Sequence, residues 1–197
     1  MTARTRRSIR AGACVIALGA LTATLQGCFP LVAAGIGTTA LVADDRRTTG
    51  IMVEDENIEN KILLRTEQKH GARSHINATS YNRIVLLTGE ATSPDVREDI
   101  ERIARGVENV RSVHNEIAVM QPTTMMLRSN DSVLTSKVKA RFVESNKFRA
   151  NHVKVVTENS VVYLMGLVKR QEAQDATEIA RTSGGVHRVV RLFEYTD

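Results

Sequence analysis

The second half of this chain repeats the first. Shifted by 77 positions, His75 falls on His152, Asn82 on Asn159, Val85 on Val162 and Gly89 on Gly166. Shifted by 76, Lys61 falls on Lys137, Arg65 on Arg141, Ile103-Ala104-Arg105 on Ile179-Ala180-Arg181, and Val110 and Val113 on Val186 and Val189. Single-residue gaps, which loops absorb, reconcile the two offsets. Such a period means one structural unit written twice. At about 70 residues each unit closes only a thin core, so contact between the two is expected to supply part of the stability.

Both copies predict the same element order. Ile58 and Ile62 in the first unit, and Leu134, Val138 and Phe142 in the second, recur at helical spacing, and Asp131 or Ser132 is placed to cap the second of these helices. Two strands follow, 75–80 with 83–88 and 153–157 with 161–165, joined by Tyr81-Asn82 and Glu158-Asn159, tight Asn-bearing connections that predict hairpins. The run 161–165 is apolar on both faces, as a central strand should be. Gly89 and Gly166 end the second strands, where a missing side chain permits close approach. A second helix starts at Ser93-Pro94 and runs to Arg105, with 172–181 as its counterpart, and Asn109 and Gly184-Gly185 close them. A last strand, 110–119 and 186–195, reached by a helical crossover, should lie parallel to its neighbour. The expected fold is a small α/β sandwich of α+β type, repeated in tandem. Each copy is a three-stranded mixed sheet on two helices in the order αββαβ.

The amino terminus is an address. Arg4, Arg6, Arg7 and Arg10 precede an uncharged apolar stretch, 11–25, and then Leu25-Gln26-Gly27-Cys28. The stretch is short for a membrane span and has the layout of a secretory signal peptide. Leu-x-small-Cys resembles the bacterial lipobox, which implies cleavage before Cys28 and acylation of that cysteine. Cys14 leaves with the signal, so no thiol chemistry remains. Each buried acyl methylene contributes about 0.8 kcal/mol, enough for two or three chains to hold the protein on a bilayer. Phe29 follows the cysteine in place of the inner-membrane retention aspartate of enterobacterial lipoproteins, which implies an outer-membrane location facing the periplasm. Residues 29–43 are small and apolar, either a tether near the membrane surface or a linker packed on the folded part.

The repeated unit, with Gly89 or Gly166 after its second strand and valine pairs Val110/Val113 and Val186/Val189, resembles the BON domain. Two copies behind a lipobox resemble the dual-BON-domain outer-membrane lipoproteins. So do Asp45-Arg46-Arg47-Thr48-Thr49-Gly50, Ser129-Asn130-Asp131-Ser132 and Leu164-Met165-Gly166-Leu167. The expected boundaries are a signal peptide at 1–27, a lipidated tether at 28–50, BON domains at 51–119 and 129–197, and a linker at 120–128. The resemblance implies binding of anionic phospholipid (phosphatidylglycerol, cardiolipin), a role in outer-membrane integrity with enrichment at division sites in some members, no catalysis and no cofactor.

Charge locates the lipid surface independently. The chain's net +5 includes the four arginines of the signal, and what remains is no argument for a nucleic-acid partner. From 44 to 127 there are 11 basic and 14 acidic residues, net −3; from 128 to 197 there are 12 and 8, net +4. Only the second unit has reason to approach an anionic surface. On its first helix Val133, Lys137 and Arg141 recur every four residues, with Ser136 and Ala140 beside them, and the resemblance assigns lipid contact to this helix. These five form the expected phospholipid-binding site; the alternative is a solvated helix face. Lys61 and Arg65 hold the same places in the first unit, but Glu54, Asp55, Glu56 and Glu59 there should repel phosphate.

Other features carry less. His75 and His152 are repeat-equivalent and have no companion at metal-ligand spacing, so no metal site is expected. Glu54-Asp55-Glu56 lacks a calcium loop's Gly and distal Glu, and no catalytic motif is recognisable. Met120, Met125 and Met126 around Pro122 fit an adaptable linker. A periplasmic adaptor, docking an outer-membrane assembly protein through the acidic unit or a sheet edge, is the alternative function.

Overall fold

In a computed structural model, backbone is described for residues 45–121 and 125–197, and side chains for 45–121 and 129–197. Cys28, the segment 29–43 and the side chains of Met125 and Met126 lie outside the described residues.

The first copy runs α1 (Thr49–His70), β1 (Ser74–Tyr81), β2 (Ile84–Ala91), α2 (Pro94–Arg105), β3 (Ser112–Asn115) and β4 (Ala118–Val119). The second runs α3 (Met125–Ser145), β5 (Lys154–Glu158), β6 (Val161–Val168), α4 (Arg170–Arg181) and β7 (Arg188–Tyr195). In each sheet the middle strand pairs antiparallel with its hairpin partner and parallel with the strand after the second helix. The expected αββαβ order and mixed sheet are present in both copies. The last strand of the first copy is the exception: expected as one run, it breaks between Asn115 and Ala118, where the Asn115 side chain accepts a hydrogen bond from the Ile117 amide.

Repeat-equivalent residues shape the local structure. Asn82 and Arg83 in one hairpin, and Asn159 and Ser160 in the other, all take positive φ. Two left-handed residues in succession define the type I′ turn that matches strand twist. Gly89 has φ +106°, and a Cβ there would lie 2.1 Å from the His75 carbonyl oxygen; at Gly166 it would lie 2.4 Å from that of His152. The two histidines are structural, their backbone pressed against the facing strand. Ser93 caps α2 by accepting from the Val96 amide, and Pro94 sets its first turn. The expected closing residues act one step later. The helices end at Gly106 and Thr182, and Asn109 and Gly185 supply left-handed turns beyond them.

Asp131 does not cap α3, which begins at Met125, so Asp131 lies well inside the helix. It is buried, and its carboxylate accepts the amide protons of Asn159 and Ser160 at 2.8 and 2.9 Å. Asp55 does the same for Asn82 and Arg83, at 2.8 and 2.7 Å, and also accepts from the Ser80 hydroxyl and Arg47. Each first helix thus clamps its own hairpin turn, whose amides point away from the strand ladder.

Strand alternation then places two cores. Val85 and Leu87 face the helices of the first copy, with Ile58, Ile62 and Ile100; Val162 and Leu164 face those of the second, with Val138 and Phe142. The opposite sheet faces meet each other. Leu86 and Tyr81 pack with Tyr163 and Met165, ringed by Ile84, Val156, Leu167, Val190 and Leu192. β6 is apolar on both faces because one face meets helices and the other meets the first sheet. Each large side chain so buried contributes about 1.5–3 kcal/mol. At the rim Arg46 pairs with Glu172, Lys154 with Glu59, Arg111 with Glu194 and Arg188 with Glu116.

Candidate functional site

The outward arc of α3 follows from its buried one. Leu134, Val138 and Phe142 point into the core, which leaves Val133, Ser136, Lys137, Ala140 and Val143 on the exposed side. Val133 is 65% and Val143 68% exposed, the two most exposed large apolar residues of the described chain. At about 100° of turn per residue, Lys137 and Lys139 stand about 160° apart, one on each flank of a strip made by Val133, Ser136, Ala140 and Val143. A helix lying at a bilayer surface needs this pattern, an apolar strip between lysines whose stems reach outward to phosphate.

Two of the expected residues have other work. Arg141 donates to the Ile179 carbonyl at 2.7 Å, the Ser183 hydroxyl at 2.6 Å and the Thr182 hydroxyl at 3.2 Å. Lys137 donates to the Gly184 carbonyl at 2.8 Å. Both cations cap the carboxyl end of α4, where carbonyls lack partners and the helix dipole is negative. Arg65 reaches the Gly106 carbonyl at 3.5 Å in the first copy, the counterpart of the Arg141 contact. Arg141 is spent on the fold. Lys137 stays exposed, with ammonium protons to spare. Ser136 returns its hydroxyl to the Ser132 carbonyl. Lys139 and Val143 complete the face, and their helical offset from Val133 was the signal available for finding them.

The acidic residues near the start of α1 also have places in the fold. Of the four acidic residues near its start, Asp55 clamps the hairpin, Glu59 accepts from the Ser80 amide and Lys154, and Glu54 accepts from Asn109. These three carboxylates serve the fold as well. Composition separates the faces further: the positions of Val133, Lys139 and Val143 are Asn57, Leu63 and Glu67 in α1. At the matching positions α1 has leucine in place of Lys139 and an acid in place of Val143, and its other lysine, Lys69, lies in its last turn.

Among the described residues no group of three His, Cys, Asp or Glu side chains is arranged to hold a metal ion, and no helix is long and apolar enough to cross a membrane.

A family model for the BON domain matches residues 54–121 and 130–197. The outer membrane lipoprotein DolP of Haemophilus influenzae is 39% identical over 184 residues, covering 92% of this chain and 95% of that protein. The 21 kDa hemolysin of Actinobacillus pleuropneumoniae is 32% identical over 153 residues, 77% of this chain and 79% of that one. Osmotically-inducible protein Y of Escherichia coli is 30% identical over 142 residues, 70% and 64% of the two chains.

Proposed function

The chain belongs to the BON-domain family, with two copies of the domain, and we propose that it is an outer-membrane lipoprotein that binds anionic phospholipid through α3. It is an envelope-associated protein, facing the periplasm and held to the outer membrane by acyl chains on Cys28. The α3 face docks on phosphatidylglycerol or cardiolipin, supporting the integrity of the outer membrane and placing the protein at division sites. The function is non-enzymatic.

The observation that carries the reading is the exposed strip Val133–Ser136–Ala140–Val143 between Lys137 and Lys139, on the copy with net charge +4. A lysine near an anionic surface contributes about 1 kcal/mol, so two lysines and two inserted valines together give weak, reversible docking that the acyl anchor makes effective.

Residues 42–197 form one compact unit containing both cores, so the unlipidated unit is the right reagent. It should sediment with phosphatidylglycerol vesicles and stay in solution with phosphatidylcholine. Val133→Glu with Lys137→Gln should abolish sedimentation while circular dichroism and thermal midpoint change little, because Val133 is exposed and a glutamine at 137 can still donate to the Gly184 carbonyl. Unchanged binding by a folded double variant would exclude this face. The adaptor reading rests on exposed Leu63 and Leu64, which with Asn60 and Ile76 line a cavity of about 490 Å³ beside edge strand β1. A protein crosslinked at Leu64 in cells and retained by the Val133/Lys137 variant would favour it.

A further inference from the structure

Lys139 and Val143 do more than flank the docking strip. Together they form the mouth of a cavity of about 400 Å³ whose other walls are Arg47, Tyr81, Ala150, Asn151, Val153 and Lys154. The walls come from both copies. Arg47 precedes α1 and Tyr81 is the last residue of β1, and the rest belong to the second domain.

The chemistry of the lining is divided. Arg47 is committed: it donates to Asp45 and Asp55, and its guanidinium carbon lies over the Tyr81 ring, 4.0 Å from the centroid. It forms a rigid floor and attracts little further charge. Lys154 is partly committed, donating to Glu59 at 3.1 Å, with the Ser80 carbonyl at 3.5 Å. Lys139 is exposed and makes no hydrogen bond or ion pair among the described residues. Val143, Ala150 and Val153 supply an apolar side, continuous with the docking strip through Val143. A free ammonium, a second with protons to spare and an adjoining apolar wall suit an anion joined to an apolar body.

We propose that this interdomain cavity holds the phosphodiester headgroup of one anionic phospholipid, with Lys139 and Lys154 as its cationic contacts and the lipid's glycerol end against Val143 and Val153. The proposal rests on the reading of α3 as the membrane-facing helix and adds to it a discrete headgroup site. Lys137, on the far flank, meets the bilayer only as a diffuse surface. Because Lys154 and Arg47 tie the cavity to the first copy, the site is complete only while the two domains are docked. That gives the duplicated architecture a use, since a lone second domain would present the strip without the pocket.

The test separates pocket from surface. Dihexanoyl phosphatidylglycerol, kept below its micelle concentration, is titrated into the 42–197 unit followed by NMR. Dihexanoyl phosphatidylcholine and inorganic phosphate serve as the other arms. Saturable amide shifts at Lys139, Val143, Lys154 and Arg47 with the glycerol lipid alone are the expected result. Lys139→Gln should weaken that binding about fivefold, the loss of one lysine contact, and Val133→Glu should leave it unchanged while reducing vesicle sedimentation. Absence of shifts at these residues, with vesicle sedimentation intact, would overturn the pocket and leave the α3 surface standing. Equal shifts with inorganic phosphate or with the choline lipid would overturn the assignment to an anionic lipid headgroup. Loss of vesicle binding in the unmodified unit would overturn the parent reading instead.

Discussion

Arg46 closes on Glu172 through two parallel hydrogen bonds, 2.6 and 2.8 Å, and donates a third to the Leu167 carbonyl at 2.8 Å. Residues 126 apart in sequence are thereby joined, and residue 46, within the segment expected as tether, is fastened to the second domain. The guanidinium holds the Glu172 carboxyl below its usual range. Arg46→Ala should cost about 1–2 kcal/mol, the worth of a partly buried bidentate pair. A carboxyl whose folded pKa is depressed contributes stability above its unfolded value, lost as pH falls through the folded one. The difference between wild type and Arg46→Ala in urea denaturation should therefore be full at pH 7 and shrink below pH 4.5. An effect independent of pH would rule out the ion pair as its source.

Glu158 has the opposite sign. Burial pushes its carboxyl up, with help from the neighbouring Glu90 and Asp131 charges, while Asn77 and Thr88 hydrogen bonds pull against this. A raised carboxyl pKa means the charged form is penalised in the fold, so the penalty is present at neutral pH and relieved as pH falls through the folded pKa. Glu158→Gln, which keeps an acceptor for Asn77, should raise the thermal midpoint at pH 7 and have little effect at pH 4. A lower midpoint at pH 7 would contradict this assignment.

The clamps Asp55 and Asp131 should be unequal. Asp55→Ala leaves the amides of Asn82 and Arg83 and the Ser80 hydroxyl without their acceptor and takes from Arg47 one of its two carboxylates, whereas among the described residues Asp131→Ala frees the amides of Asn159 and Ser160. At about 1–3 kcal/mol for each unsatisfied buried group, the first should be the more damaging by at least 1 kcal/mol in equilibrium denaturation.

Gly89→Ala and Gly166→Ala should both destabilise, and Gly89→Ala more. Its Cβ meets the His75 carbonyl at 2.1 Å and its φ is +106°, two faults where Gly166 has one. Equal midpoints for the two variants would show that the strands part without cost.

Much of this fold is legible in the sequence because its signals are local or repeated. The 76- and 77-residue offsets mark the duplication, Asn82 and Asn159 mark the hairpins, and Ser93-Pro94 marks a helix start. What stays hidden depends on partners far along the chain. Arg141 looks like a free surface cation until Ile179 and Ser183, 38 and 42 residues on, bring helix-end acceptors to it. Asp131 looks like a cap because its true partners, Asn159 and Ser160, are 28 and 29 residues away. The second lysine of the docking face, Lys139, is within reach of the sequence, since the spacing of Leu134, Val138 and Phe142 already marks the core-facing arc.

The central claim is that α3, and not its twin α1, meets anionic lipid. Residues 42–197 contain no cysteine, so a single one can be introduced at Val133 or at its repeat mate Asn57 and labelled with an environment-sensitive fluorophore. On adding phosphatidylglycerol vesicles the label at position 133 should shift to the blue and become shielded from aqueous quencher, while the label at position 57 should stay as in buffer. Equal responses at both positions, or a response at position 57 alone, would contradict the account.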